Sequence, residues 1–187
     1  MSISETPLIQ HFLNKLVALK KIIVMKPSKA SPMRSLFDIM PQTGEVTWIS
    51  VRPKKRGAIQ VVDSVAVTIE NGLTGDHYGK QGKRQVTLIQ SEHLNTIASV
   101  LQKTIDPALT RRNIVVKGIN LLALKDQQFQ IGDCILEMTG LCQPCSRMER
   151  NLGAGGYNAM RGHGGITTKV IQGGTIKIGD KVKMIVK

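Results

Sequence analysis

Apolar residues near the start of the chain recur as Leu8, Ile9, Phe12, Leu16 and Leu19, with lysines between them. That is helical periodicity, and it predicts an amphipathic helix packed on the rest of the protein. Lys15, Lys20 and Lys21 interrupt the apolar run, so it does not read as a membrane span. Prolines 27, 32 and 41 mark residues 26–41 as a linker. From Gly44 the texture changes to short strands. Residues 46–51 are β-rich and end at Arg52-Pro53, where a ladder cannot continue. Residues 61–69 alternate in their second half and stop at Asn71-Gly72. Residues 85–90 predict another strand, followed by a helix over 92–101 with Ser91 as its N-cap. Residues 113–117 and 134–139 read as strands. The tail from Gly164 reads as three more, with glycine turns at Gly173-Gly174 and Gly179-Asp180.

Many short strands, glycine turns and few helices predict a mainly β fold with minor α, a barrel or folded sheet with short peripheral helices. The organisation expected is an N-terminal helix and linker over 1–43 and one domain over 44–187. A chain of 187 residues can bury a real core without disulfide staples.

Charge narrows the range of partners. Lys plus Arg total 26 against 13 acidic residues, a net +13, which favours an anionic partner. The bases are scattered: Arg52, Lys54, Lys55 and Arg56; Lys80, Lys83 and Arg84; Arg111 and Arg112; Lys181 and Lys183. With two Tyr, one Trp and three Phe there is little surface for stacking bases. Nucleic acid is therefore disfavoured, and an anion held inside a pocket fits better. Three cysteines make no disulfide framework, and Glu5 stands where a secretory leader would be basic. A reducing, cytoplasmic location is the expectation, with no membrane partner.

Residues 140–166 concentrate the candidate chemistry, since they hold Cys142, Cys145, His163 and a run of glycines. Cys142-Gln143-Pro144-Cys145 could be half of a zinc site, but Cys134 and the dispersed His11, His77, His93 and His163 supply no second pair. It could be a redox dithiol, yet such a motif opens a helix in a βαβ frame, which the β-rich flanks do not offer. It could also be two buried structural thiols. Cys145 stands apart, because Pro144 fixes the backbone before it, Ser146 can cap a following helix and Arg147 lies two residues on. Thiolates are favoured beside guanidinium groups and helix N-termini, so Cys145 is a candidate soft-metal ligand or nucleophile. Gly153, Gly155, Gly156, Gly162, Gly164 and Gly165 leave backbone N–H groups free to approach an anion, although such a loop is often only a turn. Asp76-His77-Tyr78 and Arg111-Arg112-Asn113 add polar groups at strand edges, with a plain turn and two solvated arginines as the ordinary alternatives.

Taken in order, GLTGDHY, KRQVTLIQ, RRNIVVKGINLLAL, FQIGDCILEMTGLCQPCSRMERNLG, GYNAMRGHGGI and GGTIKIGD resemble the MOSC domain, the C-terminal domain of molybdenum cofactor sulfurases. The resemblance runs from about Gly44 to Val186, and the chain is similar to stand-alone bacterial members rather than to full sulfurases. It implies a twisted β-barrel that binds a molybdenum cofactor of the molybdopterin type. In the family a cysteine is the metal- or sulfur-carrying residue, and Cys145 matches it. Cys142 belongs to a sub-pattern whose role is less defined, while Arg112 and Asn113 match the cofactor-proximal element.

The functional expectation that follows is reduction of a small N-hydroxylated substrate at a Cys-ligated molybdenum. Cys145 is then the molybdenum ligand. Arg112, Asn113 and Arg147, with Arg84, Gly164 and Gly165, hold the anionic pterin, and His77 or Asp76 relays protons. Electrons come from separate electron-transfer proteins. The alternatives are a sulfur-carrier or cofactor-delivery module using a Cys145 persulfide, and a dithiol redox protein using Cys142 and Cys145.

Overall fold

The computed structural model describes residues 33, 35–78 and 81–185. The periodic N-terminal segment and most of the linker lie outside those residues. Two compact units divide the chain, Met1–Ile39 and Met40–Lys187. In the first, the described residues form a short 3₁₀ turn, Ser35–Asp38, with no buried side chain.

The second unit carries the strands β1 (Gly44–Val51), β2 (Gln60–Val61), β3 (Ser64–Thr68), β4 (Gly72–Leu73) and β5 (Val86–Gln90). After helices α1 (Ser91–Leu101) and α2 (Pro107–Thr110) come β6 (Ile114–Lys117), β7 (Gln128–Ile131) and β8 (Cys134–Leu141). Helices α3 (Ser146–Leu152) and α4 (Gly156–Ala159) precede β9 (Ile166–Gln172), β10 (Gly174–Lys177) and β11 (Lys181–Ile185). Seven strands pair in the order β11-β7-β8-β9-β5-β6-β1, and β1 pairs back to β11 to close a barrel. β2 continues from β1, and β10-β3-β4 form a second, three-stranded sheet. The fold is mainly β, as the strand pattern predicts.

β5 and β6 are parallel, Leu88 opposite Ile114, and the chain between them forms α1 and α2, since parallel neighbours need a crossover. Alternation along these strands sorts their side chains. Val86, Leu88, Ile114 and Val116 join Phe129, Leu136 and Ile166 in the larger core cluster. Ile89 and Val115 turn the other way, onto Leu94 and Ile97 of α1 and Met148 and Leu152 of α3. Apolar on both faces, this pair belongs to two cores. No helix among the described residues is long and apolar enough to cross a membrane.

Local departures from the sequence reading have local causes. The stretch 61–69 is two strands, because Val62 and Asp63 leave the ladder between β2 and β3. Helix α1 starts one residue early, so Ser91 is its first residue and Gln90 its extended N-cap. Gln90 does not cap with its side chain; its Oε1 accepts the Leu121 N–H at 3.0 Å. Strand β7 is only four residues long and was not distinguished from its surroundings. Helix α2, which the sequence analysis does not anticipate, starts at Asp106-Pro107: Asp106 accepts the Ala108 N–H at 2.8 Å and proline takes the first turn.

Phe129 is fully buried in the larger cluster. Phe129→Ala should lower unfolding free energy by about 3–5 kcal/mol, read from denaturant titration.

Candidate functional site

A cavity of about 480 Å³ opens where β1 ends, β6 begins and β8 runs into the cysteine loop. Arg52, Lys55 and Arg56 enter it from the segment after β1, and His77 and Tyr78 from the turn after β4. Arg84 and Thr87 come from β5 and its approach, and Arg111, Arg112 and Asn113 from the turn before β6. Cys142, Cys145 and Arg147 close the ring. Among the described residues no carboxylate lines it. The volume suits a small organic ligand, for which about 300–1,000 Å³ is usual.

Bases that look scattered along the sequence thus converge on one cavity. Their crowding has a cost. Burial holds the Arg111 guanidinium below its ordinary value, and the charges of Arg52 and Arg147 push the same way. Arg111 also sits in the left-handed region at φ 58°, where it ends α2, and its guanidinium reaches the Gly57 carbonyl at 3.4 and 3.5 Å. An anion among these groups would relieve the repulsion.

Arg112 is built in, not solvated. It is 6% exposed. Its Nε donates to the Gly164 carbonyl at 2.6 Å, Nη1 to the Thr110 carbonyl at 2.8 Å and Nη2 to the Cys142 carbonyl at 2.8 Å. Burial lowers its pKa from the ordinary guanidinium value, while the nearby Cys142 and Cys145 oppose that shift. A planar fork with donors in three directions suits this position, and a lysine ammonium does not.

Asp76 and Asn113 form a second buried hub. Asp76 Oδ2 accepts the Arg52 N–H at 3.0 Å and the Asn113 Nδ2–H at 2.9 Å, and Oδ1 accepts the Tyr78 N–H at 2.9 Å. Asn113 Oδ1 accepts from the Thr87 N–H at 3.1 Å and from Thr87 Oγ1 at 2.7 Å. Asn113 Nδ2 also reaches the Ser50 carbonyl at 3.3 Å. Asp76 does not line the cavity, whereas His77 does. His77 Nδ1 lies 3.0 Å from the Arg52 carbonyl and 3.3 Å from Asp76 Oδ1. Both neighbours are acceptors, so Nδ1 carries the proton and Nε2 is left for other partners.

The two cysteines of the loop are unequal. Cys142 is buried, and its sulfur accepts from Arg84 Nη2 at 3.9 Å. Cys145 is exposed and is itself the N-cap of α3, with Ser146 the first helical residue and no side-chain cap bond. The sequence reading had Ser146 as the cap. All three cysteines are free, and burial pushes the Cys134 thiol up to about 11. Among the described residues no three His, Cys, Asp or Glu side chains converge to hold a metal. A metal on Cys145 must therefore bring most of its own ligands.

Several of the glycines bond and pack within the protein. Gly155 N–H and Tyr157 N–H both donate to the Glu149 carboxylate at 2.8 Å, and Gly156 N–H bonds the Gly153 carbonyl at 2.9 Å. Gly164 and Gly165 are buried and do not line the cavity. A Cβ on Gly164 would meet the Cys142 carbonyl and the Arg112 guanidinium, and one on Gly165, at φ +83°, would meet the Leu88 carbonyl. These glycines let the chain press against the groups that hold Arg112. Arg52, Lys55, Arg56, Arg111, Tyr78 and Thr87 line the cavity without having been singled out as site residues. For the four cationic residues the signal was the overall positive charge, which carries no address; Tyr78 and Thr87 had none.

A match to the MOSC domain spans residues 73–183, and the chain belongs to that family. The family is associated with molybdenum cofactor. Among solved structures, the YuaD protein from Bacillus subtilis superposes with a TM-score of 0.67 at 20% identity, over 76% of this chain and 95% of that one. YiiM from Geobacillus stearothermophilus gives 0.62 at 17% identity, over 76% and 75% of the two chains. YiiM from Escherichia coli gives 0.59 at 18% identity, over 76% and 70%. At these identities the likeness is one of fold. No curated protein matches the chain.

Iodoacetamide applied to the native protein at mildly alkaline pH should modify Cys145 and spare Cys134 and Cys142, as read by peptide mass spectrometry. Separately, Arg112→Lys loses at least two of three donated bonds and should cost about 2–4 kcal/mol of stability, whereas exposed Arg84→Lys should cost under about 0.5 kcal/mol.

Proposed function

We propose that this cavity binds a molybdopterin-type cofactor with Cys145 as the molybdenum ligand, and that the protein reduces small N-hydroxylated substrates. The observation that carries the reading is an exposed thiol, Cys145, set in a cavity walled by arginines and free of carboxylates. The donors fit the two ends of such a cofactor. Arg52, Arg111 and Arg147 offer guanidinium groups to its phosphate, and a thiolate suits a soft metal. Arg84 guards the same mouth beside Cys142. Arg112 and Asn113 spend their side-chain bonds on the protein, so their part is to hold the wall in place. Gly164 and Gly165 serve by packing behind Arg112.

When bound, the cofactor supplies the redox-active centre. Reduction of an N–OH group to N–H consumes two electrons and two protons and releases water. His77 is the side chain placed to pass a proton, through Nε2, because Nδ1 is committed to the Arg52 carbonyl and Asp76. Asp76, whose Oδ1 lies 3.3 Å from Nδ1, orients that ring. The electrons come from separate electron-transfer proteins. Exposure of Cys145 also favours a second reading, in which it carries a persulfide or hands over the cofactor without turnover.

Protein expressed in a host that makes the cofactor should retain molybdenum and pterin in wild type and in Cys142→Ser, and lose molybdenum in Cys145→Ser. Absence of molybdenum from wild type, or equal loss from both variants, sinks the ligand assignment. Turnover of an N-hydroxylated substrate by the loaded protein with an artificial donor separates the enzyme from the carrier.

A further inference from the structure

We propose that the mouth of the cationic cavity docks a small acidic electron-carrier protein, which rests on the reading above that electrons arrive from separate proteins. Two loops carry the charge of the mouth. One is the turn Lys54–Gly57 after β1, closed by the Gly57 N–H on the Lys54 carbonyl at 2.9 Å. The other is the approach to β5, where the Lys83 carbonyl accepts the Thr139 hydroxyl of β8. Lys54, Lys55, Arg56, Lys83 and Arg84 are all exposed. Lys55, Arg56 and Arg84 border the cavity, whereas Lys54 and Lys83 do not line it.

These cations differ from others on the barrel. Lys117 and Lys181 are paired with Glu45, and Lys169 with Glu137. Among the described residues, none of the five at the mouth forms an ion pair with a carboxylate. An anion bound inside the cavity leaves Lys54 and Lys83 unmatched, because they stand outside it. The asymmetry runs along the strands. The cavity lies at the end of β1 and the start of β6, while Glu45, Lys117 and Lys181 lie at the opposite ends of β1 and β6 and at the start of β11. A one-sided field of this kind steers an oppositely charged protein before contact.

Apolar surface accompanies the charge. Tyr78 and Leu141 both line the cavity, yet they are 50% and 52% exposed. Tyr78 meets the His77 ring edge-on, with ring centres 5.0 Å apart, and Leu141 ends β8 just before Cys142. An exposed aromatic and an exposed leucine beside unpaired cations suit a small transient interface, apolar at its centre and charged at its rim. Electrons cross only short gaps, so a carrier must bring its cluster or flavin to the lip where Cys145 is exposed. Each docking delivers one electron. Two reduced carriers are therefore oxidised for each N–OH converted to N–H and water, with two protons taken from solvent. Nucleic acid is the other polyanion that such charge attracts. Among the described cavity residues, however, Tyr78 and His77 are the aromatic rings, too few to stack successive bases.

The test measures binding and turnover with a plant-type [2Fe–2S] ferredoxin, an acidic one-electron carrier, on the full chain from a cofactor-making host. Association is followed by surface plasmon resonance at about 0.01 M salt and again at about 0.15 M, where screening shortens the reach of charge. The association rate should fall by about tenfold or more with salt, and by a similar factor in Lys54→Glu combined with Lys83→Glu. Lys183→Glu, on β11 at the far end of the barrel, should keep the wild-type rate. Molybdenum content and turnover with reduced methyl viologen should match wild type in both variants, while ferredoxin-driven turnover falls with the association rate. No ferredoxin binding by wild type overturns the docking face, as does binding that ignores both salt and the two lysines. So does tighter binding of poly(dT) than of ferredoxin at those lysines, or ferredoxin that binds without driving turnover that viologen drives. Absence of molybdenum from wild type removes the cofactor reading instead, and the binding measurements still decide the face.

Discussion

The buried guanidinium of Arg112 is the constraint on which the rest of the site depends. A charge at 6% exposure with no carboxylate at hand is tolerable only if its N–H groups are bonded. Three carbonyls meet that need, from Thr110 at the end of α2, Cys142 in the loop after β8 and Gly164 before β9. Those segments are 30 and 52 residues from Arg112 in two of the three cases. Bringing them together orients the loop that presents Cys145. It also explains the glycine at 164, because a side chain there would occupy the space of the guanidinium and the Cys142 carbonyl.

Around that anchor the charges are arranged in two layers. The buried layer is neutralised internally: Asp76 takes bonds from Arg52, Asn113 and Tyr78 and stands against His77. The cavity layer is not. The charge of Arg111 is disfavoured by burial and by the charges of Arg52 and Arg147. Cations held this close keep a standing attraction for an anion, and bonds to the Gly57 carbonyl hold Arg111 among them. An exposed thiol on the same wall gives the proposed cofactor a donor suited to a soft metal.

Strand identity was readable where β-formers cluster, as in residues 46–51 and 85–90, or where side chains alternate between core and water, as in residues 64–68. It failed where the element was too short to show a period, as with β7 and α4. The Cys145 candidate was readable because Pro144, Ser146 and Arg147 are neighbours in sequence. Asp76 and Asn113 were picked out as polar groups at strand edges, but not as partners. Their 2.9 Å bond joins residues 37 apart, and nothing local announces it. What the glycines approach is hidden for the same reason. Glycine marks a close approach, but the approaching group is Glu149, Leu88 or Arg112, and only the folded chain shows which.

The order of residues along the chain decided the mainly β class, the glycine turns, the family motifs and the one cysteine flanked for reactivity. All of these depend on short-range periodicity and on neighbours in sequence. Closing the barrel decided the remainder. It set β1 against β11, converged the bases from four segments, gave Cys142 to Arg84 and left Cys145 exposed. Charge carries no direction until a backbone aims it, so a composition of +13 became a site only when the strands met.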